Sequence, residues 1–374
     1  MQLYLHIPFC KSKCAYCDFN SYACKDEALI LRYLSALNHE ISLAGKRFAK
    51  AKIDTVYIGG GTPSALDENK ISSVFNALEN SFDLSFVKEF SIECNPESIT
   101  AEKLALYKKH GVNRISIGVQ SLSDENLKVI GRLHDANTAI EKIKLVKEFF
   151  DNVSCDLIIG LPFDTIDGVR EEVRKLCPLV EHISMYELSV EKGTRLERML
   201  QNGKVTLPSD DDTQSLFDAA FDEAEKSGFK RYEVSNFAKN DKISLHNFGY
   251  WTREEYLGFG AGAHSLVKTI DGERKLASET RYANLSKLDE YCAAVEEKKD
   301  YKDIVRESVE TLTEKDVKNE TIMLGLRTHT GINKDLLGEI DDRLSVFFEE
   351  QNGKVRLTRD GVAVMNSILV EILD

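Results

Sequence analysis

Short runs of apolar and β-branched residues recur along the first half of the chain: LYLHI (3–7), DTVYIGG (54–60), EFSIECN (89–95), NRISIGVQ (113–120), SCDLIIGLP (154–162) and HISMYEL (182–188). Between them the apolar positions spread to helical spacing, as in EALILRYLSALNHEISLAG (27–45) and NTAIEKIKLVKEFF (137–150). Near-continuous apolar strands alternating with amphipathic helices predict a parallel sheet covered by helices, an α/β fold. Six such units make a partial (βα)6 barrel, short of the eight that close one.

The rhythm changes near residue 190. DDDTQSLFDAAFDEAEKSG (210–228) reads as a helix with Ser209 as N-cap and Gly228 as its end. RYEVSNFA, HNFGYW and the glycine-rich LGFGAGAHS (257–265) follow. From about residue 300, EKDVKNETIMLGLRT and NKDLLGEI read as helices, and Asn352-Gly353 fits the turn of a closing hairpin. The predicted organisation is a barrel over 1–190, an extension over 191–299, and a helical, winged-helix-like unit over 300–374.

What departs from the apolar pattern does so at strand ends. Cys10, Cys14 and Cys17 follow the first strand and GGGTP (59–63) the second; Glu93 and Asn95, then Gln120, Asp156 and Glu187, mark the next four. Barrel enzymes build their sites at that end, so these residues predict one active site. Composition narrows the partners. A formal net charge of −13 disfavours a nucleic-acid binder, and no apolar run is long enough to span a bilayer. With no signal-like N-terminus, the expectation is a cytoplasmic protein. Its other cysteines, Cys24, Cys94, Cys155, Cys177 and Cys292, are scattered as small buried residues commonly are.

Three cysteines at C-x3-C-x2-C lack the fourth ligand of a structural zinc site. A cuboidal iron–sulfur cluster takes four thiolates, so three would leave one iron open to a substrate. GGGTP is either a tight turn or a backbone surface for close ligand approach. Glu93 and Asp156 are either members of buried ion pairs or ligands for ribose hydroxyls or an amino group.

The cysteine loop, with Tyr16 before its third cysteine, resembles the radical S-adenosylmethionine (SAM) superfamily. Together with GGGTPS, SIECNPE, IGVQSL and DLIIGLP it is similar to the branch containing oxygen-independent coproporphyrinogen III oxidases and haem chaperones. The resemblance implies that Cys10, Cys14 and Cys17 hold a [4Fe–4S] cluster whose open iron is chelated by the methionyl amino and carboxylate groups of SAM. One electron from such a cluster breaks a carbon–sulfur bond, giving methionine and a 5′-deoxyadenosyl radical. By motif match, Tyr4 and Tyr16 flank the nucleotide, and Gly60, Gly61 and Thr62 meet the methionyl end. Glu93, Gln120, Arg132 and Asp156 fall at further SAM contacts. Some of these serve a second bound copy in the oxidase, so the number bound here, one or two, stays open.

Two departures separate the chain from the oxidases. Phe19 stands where their loop has a further cysteine, and only MQL precedes the YLHIPFC strand, where they carry an extension. Both match the chaperone branch, as does His246-Asn247-x-x-Tyr250-Trp251, similar to its haem-associated H-N-x-x-Y-W motif. The resemblance therefore implies a haem chaperone that binds haem through that segment and delivers it to acceptors such as respiratory haemoproteins. It allows a homodimer and peripheral membrane attachment, and names no haem donor. Porphyrinogen oxidation is the alternative. His264 is a second histidine candidate, or part of a loop roof. The G-x-G-x-x-A match at Gly258, Gly260 and Ala263 lacks the strand–helix setting of a dinucleotide site.

Overall fold

The computed structural model describes residues 1–270, 276–338 and 340–373. Six parallel strands stand where the sequence predicts them: β1 (Gln2–Ile7), β2 (Thr55–Gly60), β3 (Glu89–Cys94), β4 (Arg114–Gln120), β5 (Asn152–Ile159) and β6 (His182–Glu187). Helices α1 (Glu27–Arg47), α2 (Glu68–Ser81), α3 (Ala101–Lys109), α4 (Asp124–Ile130), α5 (Ala136–Lys147) and α6 (Ile166–Leu176) lie between them. Local chemistry sets their starts. Asp26, Asp67, Thr100, Ser123, Asp135 and Thr165 each accept a hydrogen bond from a first-turn N–H.

The strands are less uniformly apolar than their runs suggest. Ile115, Ile117 and Val119 of β4 join the helix-side core, as do Val153, Cys155, Leu157 and Ile159 of β5. Arg114, Ser116, Gly118 and Gln120 alternate with the first set and line the barrel interior, with Asp156 and Ile158 from β5. Side chains of a strand point to opposite faces in turn. One face of each strand therefore makes the core and the other makes a polar lumen.

After β6 come α7 (Arg195–Gln201) and α8 (Asp210–Lys226). Ser209 caps α8 in a reciprocal box with Asp212, and the chain turns at Gly228 with φ +86°. Next are β7 (Lys230–Arg231), β8 (Asn236–Ala238), α9 (Leu245–Trp251), β9 (Tyr256–Phe259), β10 (His264–Ile270), β11 (Leu276–Asn284), α10 (Leu288–Val295) and β12 (Arg306–Thr311). The strands among these join β1 to β6 in one twelve-stranded sheet, in the order β12-β11-β10-β9-β1-β2-β3-β4-β5-β6-β8-β7. The sheet thus crosses residue 190 and ends beyond residue 299.

Strand β9 pairs in parallel with β1, Gln2 opposite Tyr256 to Leu5 opposite Phe259. It is a seventh parallel strand, hidden in the apolar pattern because it is four residues long, with Gly258 inside it and Gly260 after it. It leads into the antiparallel β10 and not into a helix, so the glycines after it form no dinucleotide fingerprint.

The C-terminal unit has its own core of Ile322, Leu326, Ile332, Leu357, Met365, Ile368 and Leu369. Helix α11 (Glu314–Gly325) precedes a three-stranded sheet of Ile332–Asn333, Lys354–Leu357 and Phe348–Gln351. The hairpin turns at Asn352 (φ 54°) and Gly353 (φ 74°), the paired positive angles that favour this dipeptide. NKDLLGEI forms only a short 3-10 turn, Lys334–Leu336, instead of the predicted helix; Gly338 at φ +67° breaks the run, and Glu339 lies outside the described residues.

Candidate cluster and cofactor site

The cysteine loop is held by backbone bonds to its neighbours. Phe9–Cys10 pairs in parallel with Tyr22–Ala23, and Thr62 N–H donates to the Phe9 carbonyl at 2.9 Å. Ala15 N–H donates to Ile130 O, and Leu196 N–H to Ala15 O, both at 2.8 Å. Helices α4 and α7 thereby clamp the loop from two sides.

All three thiols are free and half-buried, and they line one cavity of about 480 Å3 at the C-terminal ends of the strands. Each has a polar neighbour. Thr62 Oγ1 donates to Cys10 Sγ at 3.4 Å, Arg132 Nη1 donates to Cys14 Sγ at 3.4 Å, and Ser21 Oγ lies 3.6 Å from Cys17 Sγ. Arg132 Nη2 also donates to Asn95 Oδ1 (2.8 Å) and Gly118 O (2.6 Å), while Asn95 Nδ2 donates to Thr62 Oγ1 (3.2 Å). A continuous belt, Cys14–Arg132–Asn95–Thr62–Cys10, therefore spans the site. Burial pushes the Cys10 thiol up, so it holds its proton until a metal displaces it.

Backbone approach explains the glycines. Gly60 has φ +111°, and a Cβ there would lie 2.6 Å from the His6 ring. At Gly61 a Cβ would come within 3.0 Å of Cys10 Sγ and 2.9 Å of the Pro8 carbonyl carbon. Gln120 has φ 70° where β4 bulges, an uncommon conformation for a residue with a side chain and frequent at functional sites. Glu93 accepts from Tyr57 Oη (2.8 Å) and Gly60 N–H (3.1 Å). Burial pushes its carboxyl up to about 7, against those two hydrogen bonds. Burial also raises Asp156, which accepts from Ser116 Oγ at 3.4 Å.

Tyr16, Gly60, Gly61, Thr62, Glu93, Gln120, Arg132 and Asp156 all line this cavity with the three cysteines. Tyr4 does not. It faces a second cavity of about 390 Å3 beside the first, which shares Gly60, Glu93 and Phe19 with it.

The H-N-x-x-Y-W segment is divided. Asn247 reaches the first cavity and Tyr250 the second. His246 is fully buried, with Nδ1 2.8 Å from Thr55 Oγ1, Nε2 2.9 Å from Tyr250 Oη, and its ring stacked on Tyr57. Burial, then the Arg114 charge, pushes it down to about 3. Both His246 nitrogens are thus engaged internally in this structure, by Thr55 and Tyr250. Trp251 lines neither cavity and lies under the Arg327 guanidinium.

Several cavity residues escaped the sequence reading. Arg114, Ser116, Ser184 and Tyr57 line the lumen, and Arg114 is buried with Nε and Nη1 unbonded among the described residues. For Arg114 and Ser116 the signal was the alternation R-x-S-x-G-x-Q within an otherwise apolar strand.

Comparisons with known proteins identify the family and the fold. The model of the radical SAM superfamily matches residues 4–176. A haem chaperone HemW from Bacillus subtilis is 35% identical, covering 90% of this chain and 86% of its own. The Escherichia coli HemW is 34% identical over 75% of this chain and 74% of its own. A bovine mitochondrial radical S-adenosyl methionine domain-containing protein 1 is 31% identical over 99% of this chain and 87% of its own. The E. coli coproporphyrinogen III oxidase HemN has the same fold, with TM-score 0.83 at 22% identity, covering 100% of this chain and 89% of its own. Fold, thiol loop and family model together define a radical SAM protein. The chain belongs to that superfamily and, within it, to the family of its HemW-named relatives.

Membership implies SAM and a [4Fe–4S] cluster, and the residues present fit both. Among the described residues no three His, Cys, Asp or Glu side chains converge on one metal ion. Thiolates that each bind a different iron of a cube need no such convergence. No helix among the described residues is long and apolar enough to cross a membrane.

Proposed function

We propose that this protein is a haem chaperone: it carries a [4Fe–4S] cluster and SAM, binds haem, and delivers it to acceptor haemoproteins in the cytoplasm. The observation that carries the reading is likeness to HemW of B. subtilis along 90% of the chain. Cys10, Cys14 and Cys17 hold the cluster, and Thr62 and Arg132 donate hydrogen bonds to the Cys10 and Cys14 sulfurs, contacts of the kind that tune such centres. Tyr16, Gly60, Gly61, Thr62, Glu93, Gln120, Arg132 and Asp156 surround SAM. Tyr4 stands across Glu93 from them, and Asn247 and Tyr250 bring the H-N-x-x-Y-W segment to the two cavity walls. Residues 1–190 carry the cluster, 191–299 wall the haem side, and 300–374 supply the sheet's last strand, β12, and then the appended unit. The cluster supplies one-electron chemistry when bound; the chain positions it and limits solvent access.

The test is anaerobic reconstitution followed by haem titration, transfer to an apo-haemoprotein, and an assay for coproporphyrinogen III consumption. Stoichiometric haem binding and transfer, without porphyrinogen loss, is the expected result. Turnover of porphyrinogen without stable haem binding would replace the proposal with the oxidase reading.

A further inference from the structure

A haem-iron ligand needs a ring nitrogen with a free lone pair and open space beside it for a planar macrocycle. The chain has eight histidines. His6, His182 and His246 are buried with both ring nitrogens bonded internally. His39, His110, His134 and His329 each hold an internal partner and line neither cavity near the thiols. His264 differs on every count. It is exposed, its ring has no hydrogen-bond partner among the described residues, and it lines the second cavity.

That cavity suits a flat aromatic guest. Tyr4, Tyr250 and Tyr256 form its wall, and Tyr250 packs edge-on against Tyr256 at 4.8 Å. Phe19 stands at the rim with 68% of its surface exposed, unusual for a large apolar side chain. Gly262 and Ala263 precede His264 and leave the adjoining wall without bulk. The histidine's backbone is nonetheless fixed. Gly258 N–H donates to Ser265 Oγ at 2.9 Å, and a Cβ at Gly258 would fall 2.0 Å from the His264 carbonyl oxygen. An open imidazole on a rigid strand end is a positioned ligand.

We propose that haem binds in this second cavity and that the His264 imidazole would ligate its iron, with Tyr4, Tyr250 and Phe19 supplying the aromatic wall. This rests on the haem-chaperone reading and assigns the iron ligand to the open His264 in preference to the internally bonded His246. A single ligand in a cavity open to solvent leaves the iron accessible to an acceptor. Glu93 and Gly60 line both cavities, so haem here stands next to the SAM side of the cluster site.

The experiment is titration of ferric haem into the full chain, as wild type, His264→Ala, His264→Gln and His246→Ala. Soret absorption, electron paramagnetic resonance and affinity are the readouts, with iron content and far-UV circular dichroism as controls. Wild type is expected to give a histidine-ligated spectrum. Both His264 variants lose it and bind at least tenfold more weakly; added imidazole restores it, and cluster loading is unchanged. His246→Ala, where still folded, keeps the wild-type spectrum. His264 variants with wild-type spectrum and affinity would overturn the assignment while leaving haem binding intact. A wild type that binds no haem would overturn the chaperone reading itself, and the assignment with it.

Discussion

The two ends of the lumen use the same residue types to opposite effect. At the closed end, His182 lies between Ser154 Oγ and Tyr232 Oη, both at 2.7 Å. Glu89 accepts from Leu245 N–H (2.7 Å) and His246 N–H (3.2 Å) and so caps the start of α9. His246 in turn ties α9 to Thr55 of β2. Arg114 apart, these polar side chains have partners. At the open end the thiols have only weak polar neighbours, at 3.4 to 3.6 Å, Gln120 is held at positive φ, and His264 has no partner among the described residues. Residue type does not mark a site here. Unfilled bonding capacity facing a cavity does, because a polar group whose bonds are not already spent inside the protein is available to a ligand that enters.

The contrast is tested most severely at the thiols. Cys14→Ala is expected to abolish cluster assembly, read as iron and sulfide per chain after anaerobic reconstitution; more than half of the wild-type content would remove this loop from the open end.

Next in size is the pH response of the apo chain. Burial raises Glu93 from its ordinary 4.5 to about 7. Between those values the folded chain keeps a proton that the unfolded chain has lost, so stability falls as pH rises through that window, by on the order of 3 kcal/mol. Glu93→Gln should lack this component when urea unfolding is compared at pH 5 and pH 8. Parallel pH profiles for the two proteins would mean that Glu93 is not held in the low-polarity wall.

His246→Ala leaves Thr55 and Tyr250 without their buried partner, and should cost about 2 kcal/mol in the same unfolding experiment. A neutral outcome would show that the closed end is not held together as described. The smallest effect belongs to His264→Ala, expected within about 0.5 kcal/mol of wild type because the ring is exposed and has no hydrogen-bond partner among the described residues. A larger loss would place His264 among the structural residues and dissolve the comparison.

Much of this could be read along the chain. The six parallel strands, the caps at Asp26 and Ser209, and the Asn352-Gly353 turn depend on a few neighbouring residues, so local pattern determined them. The thiol loop, GGGTP and the strand-end carboxylates were legible for the same reason: a parallel sheet carries every strand's following loop to one face. What the sequence could not decide was which polar groups stay open. His246 is closed off by Thr55, 191 residues away, as well as by Tyr250 on its own helix. His264 is left free where β9, distant in sequence from β1, joins it in parallel and leads into β10. Strand and helix follow from side chains within one or two turns of each other; accessibility and bonding are set by contacts across the whole barrel, and only the tertiary structure assigns those.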